Sequence, residues 1–326
     1  MFALNMRCIS YILLLSVTIC YKGYCQETDF APSYQTVLMN NPAMSGSGET
    51  GSVQLSYLNH YPGNGYNLHS LYLSYDSYFE VLHGGVAFYL SEDYLGGHIN
   101  NLRSGISYSY FLQAGENLFV NAGLSASVFH QGFNFGNSIL PDQIDALGGV
   151  VYPSSEALIS SGRTVFDIGT GFTFKSGKFS GGLAALHLTE PDLSRGEIAK
   201  EIIKRKLYAH LCGDFPVGSQ RQFFLKPILF SSFQNDFFIA GGGTSFENEV
   251  IGINVIVMND NAGNTNLQAG FSFKTGFVRF NYSYRFNVVS NDVLLPLSLL
   301  HKTGIVFSLN NVEKRKRLNA IKFPEL

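Results

Sequence analysis

The sequence predicts an all-β fold: a closed, antiparallel transmembrane β-barrel of the outer-membrane type with about fourteen strands. Three observations carry this expectation. First, segments of about 7 to 13 residues alternate apolar and polar side chains, the period of a strand with one lipid-facing and one polar face. Second, charged residues are only 14% of the 326 residues while Gly (34), Phe (28) and Tyr (18) abound. That balance suits an aromatic surface turned to lipid, with glycine where strands curve, better than a water-soluble α/β enzyme. Third, the connections sort by length, short after even-numbered segments and longer after odd-numbered ones apart from a short 232–236, as in a barrel with turns on one side of the membrane and loops on the other.

Residues 1–25 read as a secretory signal peptide. Arg7 supplies the positive start, residues 9–19 form a short apolar run, and Gly23 and Cys25 offer small side chains at the cleavage site, so the mature chain begins at Gln26. Ile19 before Cys20 and Tyr24 before Cys25 are too large for a lipid-attachment cysteine. Cys8, Cys20 and Cys25 leave with the signal; Cys212 is then the only thiol, and no intramolecular disulfide forms. Beyond the signal no run approaches the roughly 20 apolar residues of a spanning helix, so a membrane protein built from this chain must span with strands. Residues 26–50 form a polar leader, short enough to tuck inside the barrel as a small plug. Within it Pro42 lacks an N–H and biases Asn41 away from helix, while Gly46 and Gly48 permit the sharp turn that launches the first strand.

The barrel is expected over residues 51–310. Its strands fall at 52–58, 66–75, 84–91, 102–112, 117–129, 163–174, 179–188, 206–214, 222–231, 237–246, 249–258, 266–274, 277–286 and 302–310. The alternation is clearest late in the chain: Val278, Phe280, Tyr282, Tyr284 and Phe286 share one face, with Arg279, Asn281, Ser283 and Arg285 on the other. Long connections are expected at 130–162, 189–205 and 287–301. The second of these contains a stretch, 194–204, readable as a short amphipathic helix or as a plain solvated loop. Gly241, Gly242 and Gly243 lie inside a strand, where they relieve curvature. Residues 311–326 form a basic tail opened by Glu313-Lys314-Arg315-Lys316-Arg317.

No catalytic or metal-ligating constellation stands out. The eight histidines are scattered, and neither a nucleophile elbow nor a phosphate-binding loop is present, so no enzyme activity, cofactor or metal is expected. A formal charge of −2 offers nothing to nucleic acid. Arg103, Asp167, Lys274, Arg279 and Arg285 fall opposite aromatic or aliphatic rows and are expected to face the lumen. They suit an internal salt-bridge ladder or a solute pathway.

Several stretches resemble one family, the PorP/SprF outer-membrane proteins of the type IX secretion system of Bacteroidetes-type bacteria. Asn41-Pro42-Ala43-Met44-Ser45-Gly46 is similar to that family's N-terminal Asn-Pro-Ala element, and Leu140-Pro141-Asp142-Gln143-Ile144-Asp145 resembles one of its loops. Asp167-Ile168-Gly169-Thr170-Gly171 resembles its Asp-x-Gly-x-Gly strand, and His301-Lys302-Thr303-Gly304-Ile305 its closing strand. The chain departs from the pattern at Val53-Gln54-Leu55-Ser56-Tyr57, where an Arg-x-x-Trp segment is common, and at Lys302, where Glu is usual. The resemblance implies a non-enzymatic component or accessory of protein secretion and of gliding motility. Its partners would be outer-membrane lipid, periplasmic secretion subunits and a secreted adhesin-type protein bearing a sorting domain. A second resemblance, to FadL-type transporters of hydrophobic solutes, rests on strand number and on a similar Asn-Pro-Ala turn.

Overall fold

The alternating segments close into a wall. The computed structural model describes residues 37–48, 50–62, 68–135, 141–145, 149–150, 162–194, 200–218, 222–289 and 300–309. The expected signal peptide, the leader up to residue 36, most of 136–161 and the basic tail lie outside these residues. Fourteen strands build the barrel: β1 (Gly51–His60), β2 (Leu68–Phe79), β3 (Gly84–Leu95), β4 (Ile99–Gln113), β5 (Leu118–Phe133), β6 (Arg163–Ser176), β7 (Phe179–Leu186), β8 (Lys206–Gly213), β9 (Phe223–Gln234), β10 (Phe237–Glu247), β11 (Ile251–Asp260), β12 (Thr265–Thr275), β13 (Val278–Val289) and β14 (Leu300–Leu309). After a break at Asp214, β8 resumes as Phe215–Val217, still paired with β9. Chain neighbours pair antiparallel throughout, and β1 closes on β14 with Gly51 opposite Leu309 and His60 opposite Leu300. Pairing within the wall gives backbone groups the partners that hydrocarbon cannot supply.

The end where β1 starts and β14 stops is the terminal end, and its connections are tight: 80–83, 114–117, 177–178, 248–250 and 276–277. At the opposite, loop end, 134–162, 187–205 and 290–299 are long, but 96–98, 235–236 and 261–264 are as short as the terminal turns. The expected sorting by length therefore holds only in part. Its failure has a physical cause in β3 and β4. Glu92, Asp93, Asn100 and Asn101 read as loop because they are polar on both faces, yet they continue the ladder, with Asp93 opposite Asn101 and Leu95 opposite Ile99.

The two faces of the wall follow the two-residue period. Leu124, Leu183, Leu229, Ile253 and Phe271 point outward and are exposed, whereas Ser107, Asn121, Thr173, Asn254 and Asn281 point inward and are buried. Aromatic rings mark both rims, as membrane interfaces require. At the terminal end Phe223 stacks on Phe246 at 5.1 Å, and at the loop end His69 stacks on Tyr94 at 4.7 Å. The interior is not uniformly polar. Tyr208, Cys212, Ile228, Phe230, Ile256 and Met258 form a buried apolar cluster on β8 to β11. Gly242 faces outward beside Leu229, but the other two glycines of the triplet serve this cluster: a Cβ on Gly241 would lie 2.5 Å from the Phe230 ring, and one on Gly243 2.8 Å from Ile256. Room for large inward side chains, rather than curvature alone, explains those glycines.

Candidate functional site: a plugged lumen and its mouth

The stretch before β1 runs inside the barrel. The one-turn helix α1 (Val37–Asn40) gives way at Asn41, whose extended backbone (φ −150°, ψ 109°) starts a 3-10 turn at Pro42–Met44. Asn41 Oδ1 accepts the Ala43 N–H at 3.0 Å, while Pro42 at the first position has no N–H to leave unpaired. The other side of the same amide reaches the wall: Nδ2 lies 3.3 Å from the Phe172 carbonyl on β6 and 3.4 Å from the Leu183 carbonyl on β7. Ser109 Oγ on β4 donates to the Ala43 carbonyl at 2.9 Å, and Ser45 Oγ lies 2.6 Å from Ser107 Oγ. The Gly46 N–H donates to Asp76 Oδ2 on β2 at 3.1 Å, and Ser52 Oγ to Asp76 Oδ1 at 2.5 Å, which ties the end of the turn to the start of β1. Gly46 has φ +61°, a conformation other residues rarely adopt. Residues 41–47 are all buried.

Four wall glycines make room for this turn. A Cβ on Gly171 would collide with Asn41 Oδ1, one on Gly182 would lie 2.8 Å from Asn41 Nδ2, one on Gly123 2.5 Å from Ala43 Cα, and one on Gly85 would collide with the Ser45 carbonyl. The structure thus brings Asn41, Pro42, Ala43, Gly46 and Gly171 together, although about 130 residues separate the turn from β6. Gly169 sits one inward position nearer the loop end, under Leu186 and Ser125. Sequence reading missed Gly85, Gly123, Gly182, Asp76, Ser107 and Ser109. Their available signal was glycine or serine recurring at inward positions of neighbouring segments.

The remaining residues singled out from the sequence do not join this cluster. Asp142 and Gln143 lie in a short turn, Pro141–Gln143, with Asp142 exposed. His301 faces outward at the loop-end rim, 2.7 Å from Tyr282 Oη through its Nδ1. Asp167 is buried at the loop end; its Oδ2 lies 2.7 Å from His187 Nδ1 and its Oδ1 2.9 Å from Thr189 Oγ1. Arg103 sits above the Phe129 ring at 5.1 Å. Arg285 donates to Gln268 Oε1 from Nε at 3.2 Å and from Nη2 at 2.8 Å. Lys274 and Arg279 are paired opposite each other at the terminal end. These five inward positions are spread over both ends rather than gathered in one ladder. A buried ion pair that the sequence did not suggest, Lys226 with Glu247, links β9 to β10. Among the described residues no group of three His, Cys, Asp or Glu is arranged to hold a metal.

At the loop end a strap, residues 187–205, crosses the mouth. Residue 194 and residues 200–204 are not helical: Asp192 bridges Ile202 antiparallel, the Leu193 N–H donates to the Glu201 carbonyl at 2.7 Å, and the Ile203 N–H to the Pro191 carbonyl at 3.0 Å. Residues 195–199 of the stretch expected as helix or loop lie outside the described residues. The wall explains the preference for extended chain. Gln131 Nε2 on β5 donates to Glu201 at 3.2 Å, Arg163 on β6 to the Ser194 carbonyl, and Gln234 on β9 to the Lys204 carbonyl at 3.1 Å. Leu193 is buried beneath.

Comparison with known proteins adds a family and a fold. The profile of a family described as type IX secretion system membrane protein PorP/SprF matches residues 25–239. No curated protein matches the sequence. Among solved structures, a TodX mutant titled a monoaromatic hydrocarbon channel is 12% identical, covering 84% of this chain and 94% of that one, with a TM-score of 0.52. The P. putida toluene transporter TodX is 12% identical over 83% of this chain and 92% of that one, with a TM-score of 0.49. Omp33 of Acinetobacter baumannii is 9% identical over 81% and 100%, with a TM-score of 0.46. At these identities the first likeness shows a shared barrel fold and nothing about cargo.

Proposed function

Because this chain belongs to the PorP/SprF family of type IX secretion system membrane proteins, we propose that it is an outer-membrane docking component of protein secretion rather than a conduit. One observation carries the reading. The lumen is occupied at the level of Gly171 by residues 41–47, fastened to β2, β4, β6 and β7, and beside them β8 to β11 pack apolar side chains inward. A barrel filled in this way acts through its ends and its outer surface. An even number of strands puts both termini on one side, which in outer-membrane barrels is the periplasm. The terminal end then meets periplasmic secretion subunits, and the strap and long loops meet a secreted protein outside. The signal peptide at 1–25 delivers the chain to this location. No step of the reading requires catalysis.

The test is recovery from detergent-solubilised outer membranes by a tag on this chain, alongside secretion measured in a deletion strain. Co-purification of secretion subunits or of a sorting-domain protein, with a secretion defect on deletion, is the expected result. Recovery of neither, with secretion intact, sinks the proposal. A FadL-like transport role is the second reading, and the Asn-Pro-Ala turn inside a fourteen-strand barrel favours it. An uptake defect for hydrocarbons or fatty acids with unchanged secretion would put it first.

A further inference from the structure

A furrow of about 360 Å³ is cut into the lipid-facing side of the wall, across β14, β1, β2 and β3 in their loop-end halves. Two outward rows border it. Thr303, Tyr57, Leu71 and Glu92 stand side by side across the four strands, and Ile305, Leu55, Leu73 and Leu90 form the next row. Between the rows the floor is backbone, because Ser56 and Tyr72 turn their side chains inward and Gly304 has none. Strand tilt sets the furrow oblique to the membrane. A second furrow, over β6 to β9, is lined by Phe172, Leu183, Leu207 and Phe233 and by no charged side chain. The first ends on a carboxylate.

On β3, Phe88, Leu90, Glu92 and Tyr94 share the outward face, so Glu92 leaves the wall on the lipid side, with Leu71 opposite it on β2 and Leu102 on β4. Tyr94, one outward position further, belongs to the aromatic rim through its stack on His69. Glu92 therefore stands just inside the rim, where lipid head groups join their chains. Two neutral donors hold it: Asn100 Nδ2, 2.9 Å from Oε1, and the Tyr94 hydroxyl. The Asn100 amide is turned to serve the carboxylate, since its own Oδ1 accepts no hydrogen bond. Neither donor carries charge, and among the described residues no cation pairs with Glu92. The flanking connections, 61–67 and 96–98, contain no Lys or Arg. An ionisable side chain on the lipid side without a counter-charge marks a binding site.

Carboxylate and furrow together select the occupant. A divalent metal fits badly, because it takes about six to eight oxygens and the neighbouring carboxylate, Asp93, points inward. A primary ammonium fits: one positive charge, with N–H donors for the carboxylate oxygens. The furrow asks for an apolar chain attached to that ammonium. A lipid of the surrounding leaflet carries both in one molecule, whereas a protein segment lying there would bring unpaired backbone into the membrane. We propose that the furrow holds one lipid with a primary-amine head group, its ammonium on Glu92 and an acyl chain along Leu73, Leu55 and Ile305. With the termini in the periplasm this is a lipid of the outer leaflet. The site is separate from the docking role proposed above and does not depend on it.

The test is native mass spectrometry of the delipidated barrel in detergent, mixed with equal amounts of phosphatidylethanolamine, phosphatidylcholine and phosphatidylglycerol of identical chains. The unmodified protein should retain one phosphatidylethanolamine, held about tenfold or more over phosphatidylglycerol, as hydrogen bonds to a charged group imply. Phosphatidylcholine keeps the positive charge but has no N–H, and should be held more weakly than phosphatidylethanolamine. Glu92→Gln leaves an oxygen for Asn100 Nδ2, removes the charge and should erase the preference over phosphatidylglycerol. Leu73→Trp fills the furrow and should lower retention about fourfold or more, the worth of one buried methylene. Folding of both variants is checked by resistance to unheated SDS, and the comparison of lipids on the unmodified protein needs no variant. Equal retention of phosphatidylethanolamine and phosphatidylglycerol overturns the inference, as does a preference that survives Glu92→Gln. Equal retention of phosphatidylcholine overturns the primary amine, and retention unchanged by Leu73→Trp overturns the furrow as the seat of the chain.

Discussion

Removing the Asn41 side chain should unseat the turn without dissolving the wall. In Asn41→Ala the two donations to the Phe172 and Leu183 carbonyls disappear, each contributing about 0.5 to 1.5 kcal/mol. The buried Ala43 N–H also loses its acceptor, and an orphaned buried donor costs about 1 to 3 kcal/mol. The sum centres near 4 kcal/mol, a shift of about 1,000-fold in the docked-to-undocked ratio. Ser47 is buried at the end of the turn and serves as the reporter. In a Cys212→Ala background, Ser47→Cys should react slowly with a membrane-impermeant maleimide, and adding Asn41→Ala should raise that rate by two to three orders of magnitude. The barrel should still migrate as folded in unheated SDS. Equal labelling with and without Asn41→Ala refutes the claim that this amide holds the turn.

Other consequences are measurable in the same preparation. In planar bilayers the intact protein should show little steady conductance, and deletion of residues 37–48 should raise it. Lys226→Met removes the cation paired with the buried Glu247 carboxylate and should cost about 3 to 5 kcal/mol, with much of the loss restored by the double change Lys226→Met/Glu247→Leu in a denaturant titration. Leu124 is 66% exposed in the middle of the outward band of β5, so Leu124→Arg should destabilise the barrel in lipid by about 2 to 4 kcal/mol and much less in detergent. In the strap, hydrogen bonds from Ser194 hold the Asp192 carboxyl below the usual carboxylate range. A depressed carboxyl stabilises the fold fully above its unfolded value of about 4 and loses that contribution as pH falls below that value and through the lowered folded one. Exchange at the Leu193 and Ile203 amides, corrected for intrinsic rates, should stay slow at neutral pH and accelerate only below about pH 4.

What could be read from the sequence follows from what period two encodes. All fourteen strands were legible, and the outward faces of those with clean alternation, because lipid on one side and a crowded lumen on the other impose opposite demands on alternate residues. In β12 and β13 this places Phe271 opposite Tyr282 and Ser272 opposite Asn281. The signal fades where both faces meet water. Glu92 to Asn101 therefore read as loop although they extend β3 and β4, and the strap read equally well as helix because its extended form depends on distant Gln131, Arg163 and Gln234. The apolar cluster at Tyr208, Ile228 and Ile256 was hidden for a different reason: on a strand with apolar residues on both faces the alternation is erased. The meeting of the Asn-Pro-Ala turn with Gly171 could be sensed only as two separate motifs, since nothing local says that a glycine on β6 exists to receive an amide from before β1.

That last contact gives the plug its sharpest test, because the turn and its cradle must be complementary rather than merely both present. Gly171→Ala places a methyl where Asn41 Oδ1 sits, an overpacking that costs about 1 to 3 kcal/mol when neither side can retreat, and both are anchored by backbone hydrogen bonds. In an Asn41→Ala background the colliding oxygen is gone, and the same methyl fills space the amide has vacated. The two changes should therefore be strongly non-additive, with Gly171→Ala unfavourable alone and close to neutral in the double variant, a coupling of about 1 to 3 kcal/mol. Gly276, whose turn at φ +57° has open space around it, supplies the contrast: Gly276→Ala is strained by its own backbone and should show no coupling to Asn41. Additive behaviour of the Asn41 and Gly171 changes in the maleimide assay means that the glycine serves the wall alone and that the turn rests in the lumen without being recognised by it.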